Sequence, residues 1–138
     1  MDEASVDLIR LEGEGNSVIL RLTDRERHGA SDVLVGQVLV DTPFVRGSLK
    51  IWVFSNELPQ WQEALDALDA GDNIGWREEK RGPELFIDRD VENERARVTI
   101  RDTAMSLTTV TVTVPLVDEW FDDAYRRLNL TWETFDLK

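Results

Sequence analysis

The 138 residues include 28 acidic and 16 basic side chains, a formal charge of −12 at neutral pH, and no cysteine. Without cysteine there is no disulfide framework, no thiolate nucleophile and no thiolate-bound zinc or iron–sulfur centre. A field this negative repels nucleic acid and anionic lipid and attracts basic proteins within about a Debye length, ~8 Å at physiological salt, although acidity also serves solubility alone.

The length predicts a single domain over residues 1–138 that needs neither metal nor disulfide to fold. The start, Met1-Asp2-Glu3-Ala4-Ser5, is acidic, and no apolar run approaches the roughly 18 residues a membrane span takes. The sequence therefore predicts a cytoplasmic protein with no membrane association and a disordered stretch over 1–5.

Strand patterning begins at Val6-Asp7-Leu8-Ile9-Arg10-Leu11, turns through Gly13-Glu14-Gly15-Asn16 and resumes at Ser17-Val18-Ile19-Leu20-Arg21-Leu22. Val18, Leu20 and Leu22 share a face, so the two runs predict a hairpin. Thr23 to Asp32 reads as a polar loop. Val33 to Val40 is the next strand, broken by Thr42-Pro43. Arg46 to Phe54 follows with Leu49, Ile51 and Val53 on one face and Lys50, Trp52 and Phe54 on the other; so aromatic a face calls for partial cover.

A helix is then predicted, capped by Ser55 or Asn56, with Pro59 in its first turn and Gly71 at its end. Leu58, Trp61, Ala64, Leu65 and Leu68 recur at helical spacing, leaving Gln62, Glu63, Asp66 and Asp69 outward. Strands are expected at Ile74–Arg77, Leu85–Ile87 and Arg97–Arg101, and the strict alternation of Thr109 to Val114, stopped by Pro115, marks another. A second helix starts at Asp118, buries Val117, Trp120, Phe121, Ala124 and Leu128, carries Arg126 and Arg127 in its last turn and ends at Asn129; Leu130 to Phe135 then reads as an extended tail. Turns this short force antiparallel pairing. The predicted fold is α+β: a single twisted antiparallel sheet of about six to seven strands with two helices packed on one face.

Chemistry finds few footholds. His28 is the sole histidine, and no GxSxG accompanies it, so neither a nucleophile–base pair nor a zinc site is supported and His28 reads as a solvated loop residue. The acids of Asp88-Arg89-Asp90-Val91-Glu92-Asn93-Glu94 alternate like the start of a calcium loop, but Asn93 and Thr99 stand where glycine and glutamate are needed. That run reads as a solvated turn offset by Arg89, Arg95, Arg97 and Arg101. Phosphate-loop motifs are absent, and no cofactor or metal is expected. A small enzyme using an anonymous carboxylate pair stays open as an alternative, since residue type alone does not exclude it.

The first helix holds the informative anomaly. From Glu57 to Asp72 there are five acids and no Lys or Arg. Asp69 and Asp72 lie where the helix dipole disfavours negative charge by about 0.3 to 1 kcal/mol each. A local rule broken without compensation marks a candidate contact surface, here Glu63, Asp66, Asp69 and Asp72, with Trp76 just beyond as a candidate anchor against a core role.

The segments Trp61-Gln62-Glu63-Ala64-Leu65-Asp66-Ala67-Leu68, Pro83-Glu84-Leu85-Phe86-Ile87, Val98-Thr99-Ile100-Arg101-Asp102 and Trp120-Phe121-Asp122-Asp123-Ala124-Tyr125 resemble a bacterial family of uncharacterised small acidic proteins, over about residues 15 to 135. More distantly, the order of strands, a tryptophan-bearing helix, an E-L-x-I-type strand and an aromatic tail is similar to small immunity proteins that neutralise wall-associated polymorphic toxins. Neither resemblance brings a catalytic residue. The second implies stoichiometric inhibition of a toxin domain, often a basic nuclease, which an acidic face would steer and shield from its substrate. The expectation is thus a non-enzymatic module that binds a basic protein. A homo-oligomer buried through the aromatic face of Arg46 to Phe54 is a further alternative.

Overall fold

A computed structural model of the chain describes residues 5–78 and 82–137. The stretch expected to be disordered falls, apart from Ser5, outside these residues. Four strands, β1 (Val6–Gly13), β2 (Asn16–His28), β3 (Ser31–Asp41) and β4 (Arg46–Phe54), precede a single 3-10 turn and α1 (Leu58–Asp69). Four more follow, β5 (Ile74–Trp76), β6 (Pro83–Asp90), β7 (Arg95–Asp102) and β8 (Thr109–Pro115), and then α2 (Glu119–Thr134). The order of four strands and a helix thus occurs twice.

The eight strands form two antiparallel meanders, β1-β2-β3-β4 and β5-β6-β7-β8, in place of the expected single sheet. Hairpin turns fix pairing only between neighbours within each run, and the connection through α1 parts β4 from β5. Alternation specifies that each strand buries one face without saying what covers it. Here residues of both sheets and both helices form one core, in which Leu20, Val38 and Ile51 come together with Leu85 and Ile100. α2 packs on β1 and α1, and α1 on β5.

The β1–β2 hairpin forms as expected, closed by Glu14-Gly15 with φ of 54° and 86°, the left-handed pair of a tight two-residue turn. Thr23 to Asp32 is not a loop: β2 runs to His28 and pairs onward with β3. Thr23 to Arg27 are all exposed, so no apolar rhythm betrays the strand. Ladder bonds hold it instead, together with a register shift between Leu22 and Asp24 and a bond from the Arg25 guanidinium to the Phe135 carbonyl at 2.7 Å. The side chain of His28 lies outside what the structure describes.

One end of each helix differs from expectation. α1 begins after the 3-10 turn with Glu57, not Ser55 or Asn56, at its cap position, and that carboxylate folds back to accept the Phe54 amide at 2.8 Å. Its predicted apolar stripe is buried throughout, and Gly71 ends it at φ 100° with the Asp72 amide bonded to the Ala67 carbonyl. α2 does not stop at Asn129. Its buried positions Phe121, Ala124, Leu128 and Thr131 continue at helical spacing, and the Thr131 hydroxyl donates back to the Arg127 carbonyl at 2.8 Å. The alternation of Leu130 and Trp132 was a short-range coincidence inside that longer period. Val117, placed in the buried stripe by the sequence, lies exposed before the helix.

Candidate functional site

α1 presents Glu63, Asp66 and Asp69 to solvent, and Asp72 is exposed just past its end. Among the described residues, no Lys or Arg forms an ion pair with any of the four. Several acids elsewhere are held: Asp7 by Arg10 and Arg21, Asp41 by Arg46, Glu84 by Arg101, Asp123 by Arg126 and Arg127. Asp66 accepts a short hydrogen bond from the Tyr125 hydroxyl of α2. Partial burial first, then this bond and the charges of Asp66 and Asp69, push the phenol well above its ordinary range. The carboxylates of Asp66 and Asp69 thus lie close to α2 at Tyr125.

The dipole conflict at the end of α1 is offset from another element. Arg89 of β6, its side chain almost wholly buried, donates to the Leu68 carbonyl at 2.8 Å and the Asp69 carbonyl at 3.2 Å, and its other terminal nitrogen meets Asp118 at 2.8 Å. Its guanidinium also lies 4.9 Å from the Phe121 ring. A cation on the last carbonyls is what a helix C-terminus favours. The anomaly that singled out this helix is thus compensated through the backbone, while its outward carboxylates stay without a cation. Asp118, expected as a side-chain cap, directs its carboxylate to Arg89 instead.

Trp76 is only 2% exposed, donates its indole N–H to the Glu57 carbonyl at 3.0 Å and packs its ring 5.1 Å from that of Trp61. It takes the core role and presents no protruding surface for a partner to grip. It does back a shallow cleft of about 410 Å³, walled by Ala64 and Ala67 of α1 and rimmed by Glu63 and Glu78. Gly75 makes that rim, because a Cβ there would sit 2.3 Å from the Glu78 carboxylate.

Beneath the cleft lies a pair the sequence did not reveal. Arg77 contacts Glu57 at 2.7 Å with both side chains almost fully buried, and it also donates to the carbonyls of Pro83 at 3.0 Å and Trp52 at 2.9 Å. Burial lowers the Arg77 pKa against the opposing pull of Glu57, and the guanidinium remains charged at any physiological pH. With hydrogen bonds from Arg77 to a carbonyl of each sheet and to Glu57, the pair joins the two meanders.

Among the described residues, carboxyl groups with displaced acidity are held low: Asp7, where burial is outweighed by Arg21 and Arg10; Asp90, by Asn93; Asp102, by the Ser106 amide and hydroxyl with the amides of Met105 and Ala104; and Asp123, where burial is outweighed by Arg127 and Arg126. A general acid requires the reverse. The run expected as a solvated turn is one only over Val91 to Glu94: Asp88 to Asp90 end β6, the Arg89 side chain is buried, and Asn93 bonds both oxygens of Asp90. Its arginines disperse, with Arg97 near Asp88, Arg95 near Glu14 and Arg101 on Glu84. Among the described residues, no three His, Asp or Glu side chains gather to hold a metal, and no helix is long and apolar enough to cross a membrane.

The protein is of an α+β class: two four-stranded antiparallel meanders and two helices around one core, with an acidic face on the first helix. Residues 6–136 match a family of unknown function, DUF5959, and the chain belongs to it. No curated protein and no solved structure matches the chain.

Proposed function

We propose that this chain is a non-enzymatic binding module for a basic protein, engaged through Glu63, Asp66, Asp69 and Asp72, and that its role is immunity-type inhibition of a basic toxin domain in the bacterial cytoplasm. The observation that carries the reading is one of placement: these four carboxylates follow one another along α1 and just past its end with no cationic partner among the described residues, while Asp7, Glu84 and Asp123 are bound by arginines of the chain itself. Charges left unpaired on a rigid helix raise the local concentration of a cationic partner and speed its association. The adjoining cleft adds shape, because its apolar wall suits the methylene stem of a Lys or Arg whose head reaches Glu63 and Glu78. The distant likeness to immunity proteins supports the finer role.

The test is capture of partners from the source cell with the wild-type chain and with a variant carrying Glu63→Lys, Asp66→Lys, Asp69→Lys and Asp72→Lys, each confirmed folded by circular dichroism. A basic protein retained by the wild type, released as salt rises and bound at least about tenfold more weakly by the variant is the expected result. Equal retention by both chains removes this surface from consideration.

A further inference from the structure

Sheet edges leave backbone donors and acceptors that proteins ordinarily cover. The edge of β1 is covered by α2, whose Trp120 indole donates to the Arg10 carbonyl at 2.8 Å and whose Arg127 donates to that of Asp7 at 3.3 Å. On β8 the Thr113 carbonyl accepts from the Asn16 side chain at 2.8 Å. On β4 only one half is treated this way: the Trp52 carbonyl accepts from Arg77 at 2.9 Å and the Phe54 amide donates to Glu57 at 2.8 Å. An antiparallel ladder turns backbone groups toward its partner at every second residue. The groups of Arg46, Ser48 and Lys50 therefore point the same way as those of Trp52, away from β3, and among the described residues nothing bonds to them.

This free half faces a cleft. Two adjoining hollows of about 750 and 280 Å³, sharing Ser48 and Leu49, separate it from the loop between β7 and β8. Leu49, Pro83, Val110 and the 84% exposed Met105 make the lining apolar. Among the described residues its lining carries two exposed cations, Lys50 and Arg46, the latter 3.2 Å from Asp41 at the end of β3, in a chain of net charge −12. Among the described lining residues the one acid, Asp102, is buried and turned into its own loop, accepting from the amides of Ala104, Met105 and Ser106.

We propose that the edge of β4 over Arg46–Lys50 docks an extended peptide of another protein by strand addition, and that the peptide alternates acidic with apolar side chains. The period of two dictates this pattern. Along β4 the side chains of Arg46, Ser48 and Lys50 share the outer face and Leu49 lies on the inner, so an added strand sets one row of residues beside the cations and the other over the apolar lining. Four or five residues span the free stretch, roughly 17 Å at strand rise. A second copy of this chain is the poorer occupant, since pairing centred on Ser48 opposes Arg46 of each copy to Lys50 of the other, and like charges directly opposite are destabilising.

The test uses the isotopically labelled full chain titrated with two synthetic probes, a capped pentapeptide alternating Glu and Val and its Lys and Val counterpart. The Glu peptide is expected to shift the Ser48 and Lys50 amides saturably and slow their exchange with solvent. Ser48→Pro removes one outward donor without touching the ladder to β3 and abolishes binding. Lys50→Glu, which preserves the backbone, weakens the Glu peptide about fivefold and provides the readout should the proline variant not fold. Binding of the Lys peptide as strong as that of the Glu peptide, shifts confined to other strands, binding indifferent to both substitutions, or a dimer that protects these amides without peptide would each overturn the proposal.

Discussion

Gly36 shows how a single hydrogen atom can be a structural requirement. A Cβ at this position would lie 1.9 Å from the Arg21 carbonyl oxygen, beside the register shift where β2 crosses β3. Backbone on both sides leaves no flexible chain end to move aside, so Gly36→Ala is expected to cost about 2 to 3 kcal/mol, read as a lowered denaturant midpoint. Gly47, on β4, meets nothing within 4 Å, and the same replacement there is the control that should leave stability almost unchanged. Nothing in the sequence separates these two strand glycines, because the collision arises only once β2 and β3 are in register. At the helix junction, Tyr125 is the only tyrosine, so its ionisation can be followed by phenolate absorbance without ambiguity. Folding raises its pKa; the corresponding stability is present below the ordinary tyrosine pKa of about 10 and is lost as pH climbs through the folded value. Asp66→Asn removes the nearest anion, and the titration is expected to move down toward pH 10. An unmoved titration would mean that Asp66 does not face this hydroxyl.

Among the elements, the loop between β7 and β8 depends most on one ionised group. Asp102 gathers three loop amides and the Ser106 hydroxyl, while its own amide bonds the Thr108 carbonyl at 2.9 Å to close the loop. These donors hold its carboxyl below the usual range. Its contribution to stability is therefore complete above about pH 4 and is lost as pH falls through the folded pKa. Asp102→Asn is expected to lose about 1.5 to 3 kcal/mol at neutral pH, with the difference from wild type shrinking in acid as the wild-type carboxyl protonates. Urea melts at several pH values test both the size and the sign. Legibility at this scale followed periodicity. The hairpin of β1 and β2, the alternation of β8 and the stripe of α1 each carried a buried face at a fixed spacing, and each formed. The far half of β2 has no buried face, so its sequence reads as loop; the end of α2 is hidden because Leu130, Thr131 and Trp132 fit two periods at once. Glu63, Asp66 and Asp69 were legible as the outer face of α1, whereas Arg89, which offsets that helix's dipole from β6, belongs to a contact no local pattern records.

The whole molecule turns on how two similar halves meet, and a single buried guanidinium sits at the joint. Arg77 reaches the Trp52 carbonyl in the first meander, the Pro83 carbonyl in the second and Glu57 in the turn between β4 and α1. Its backbone holds a φ of 66°, a left-handed conformation uncommon in non-glycine residues. Burial of two charges is costly, so the ion pair is not by itself a source of stability, but removing one partner strands the other in the core. Arg77→Met is expected to cost about 3 to 5 kcal/mol, and Glu57→Gln a substantial fraction of that. The double variant should be more stable than the sum of the two losses implies by about 1 to 3 kcal/mol, because no charge is then left alone. Strict additivity in thermal or urea melts would show that the two side chains do not share a site. The same cycle reaches function: Arg77 covers the last carbonyl of β4 before its free half, so Arg77→Met should lengthen the edge open to strand addition, seen as faster solvent exchange of amides along β4 while the helices keep their protection.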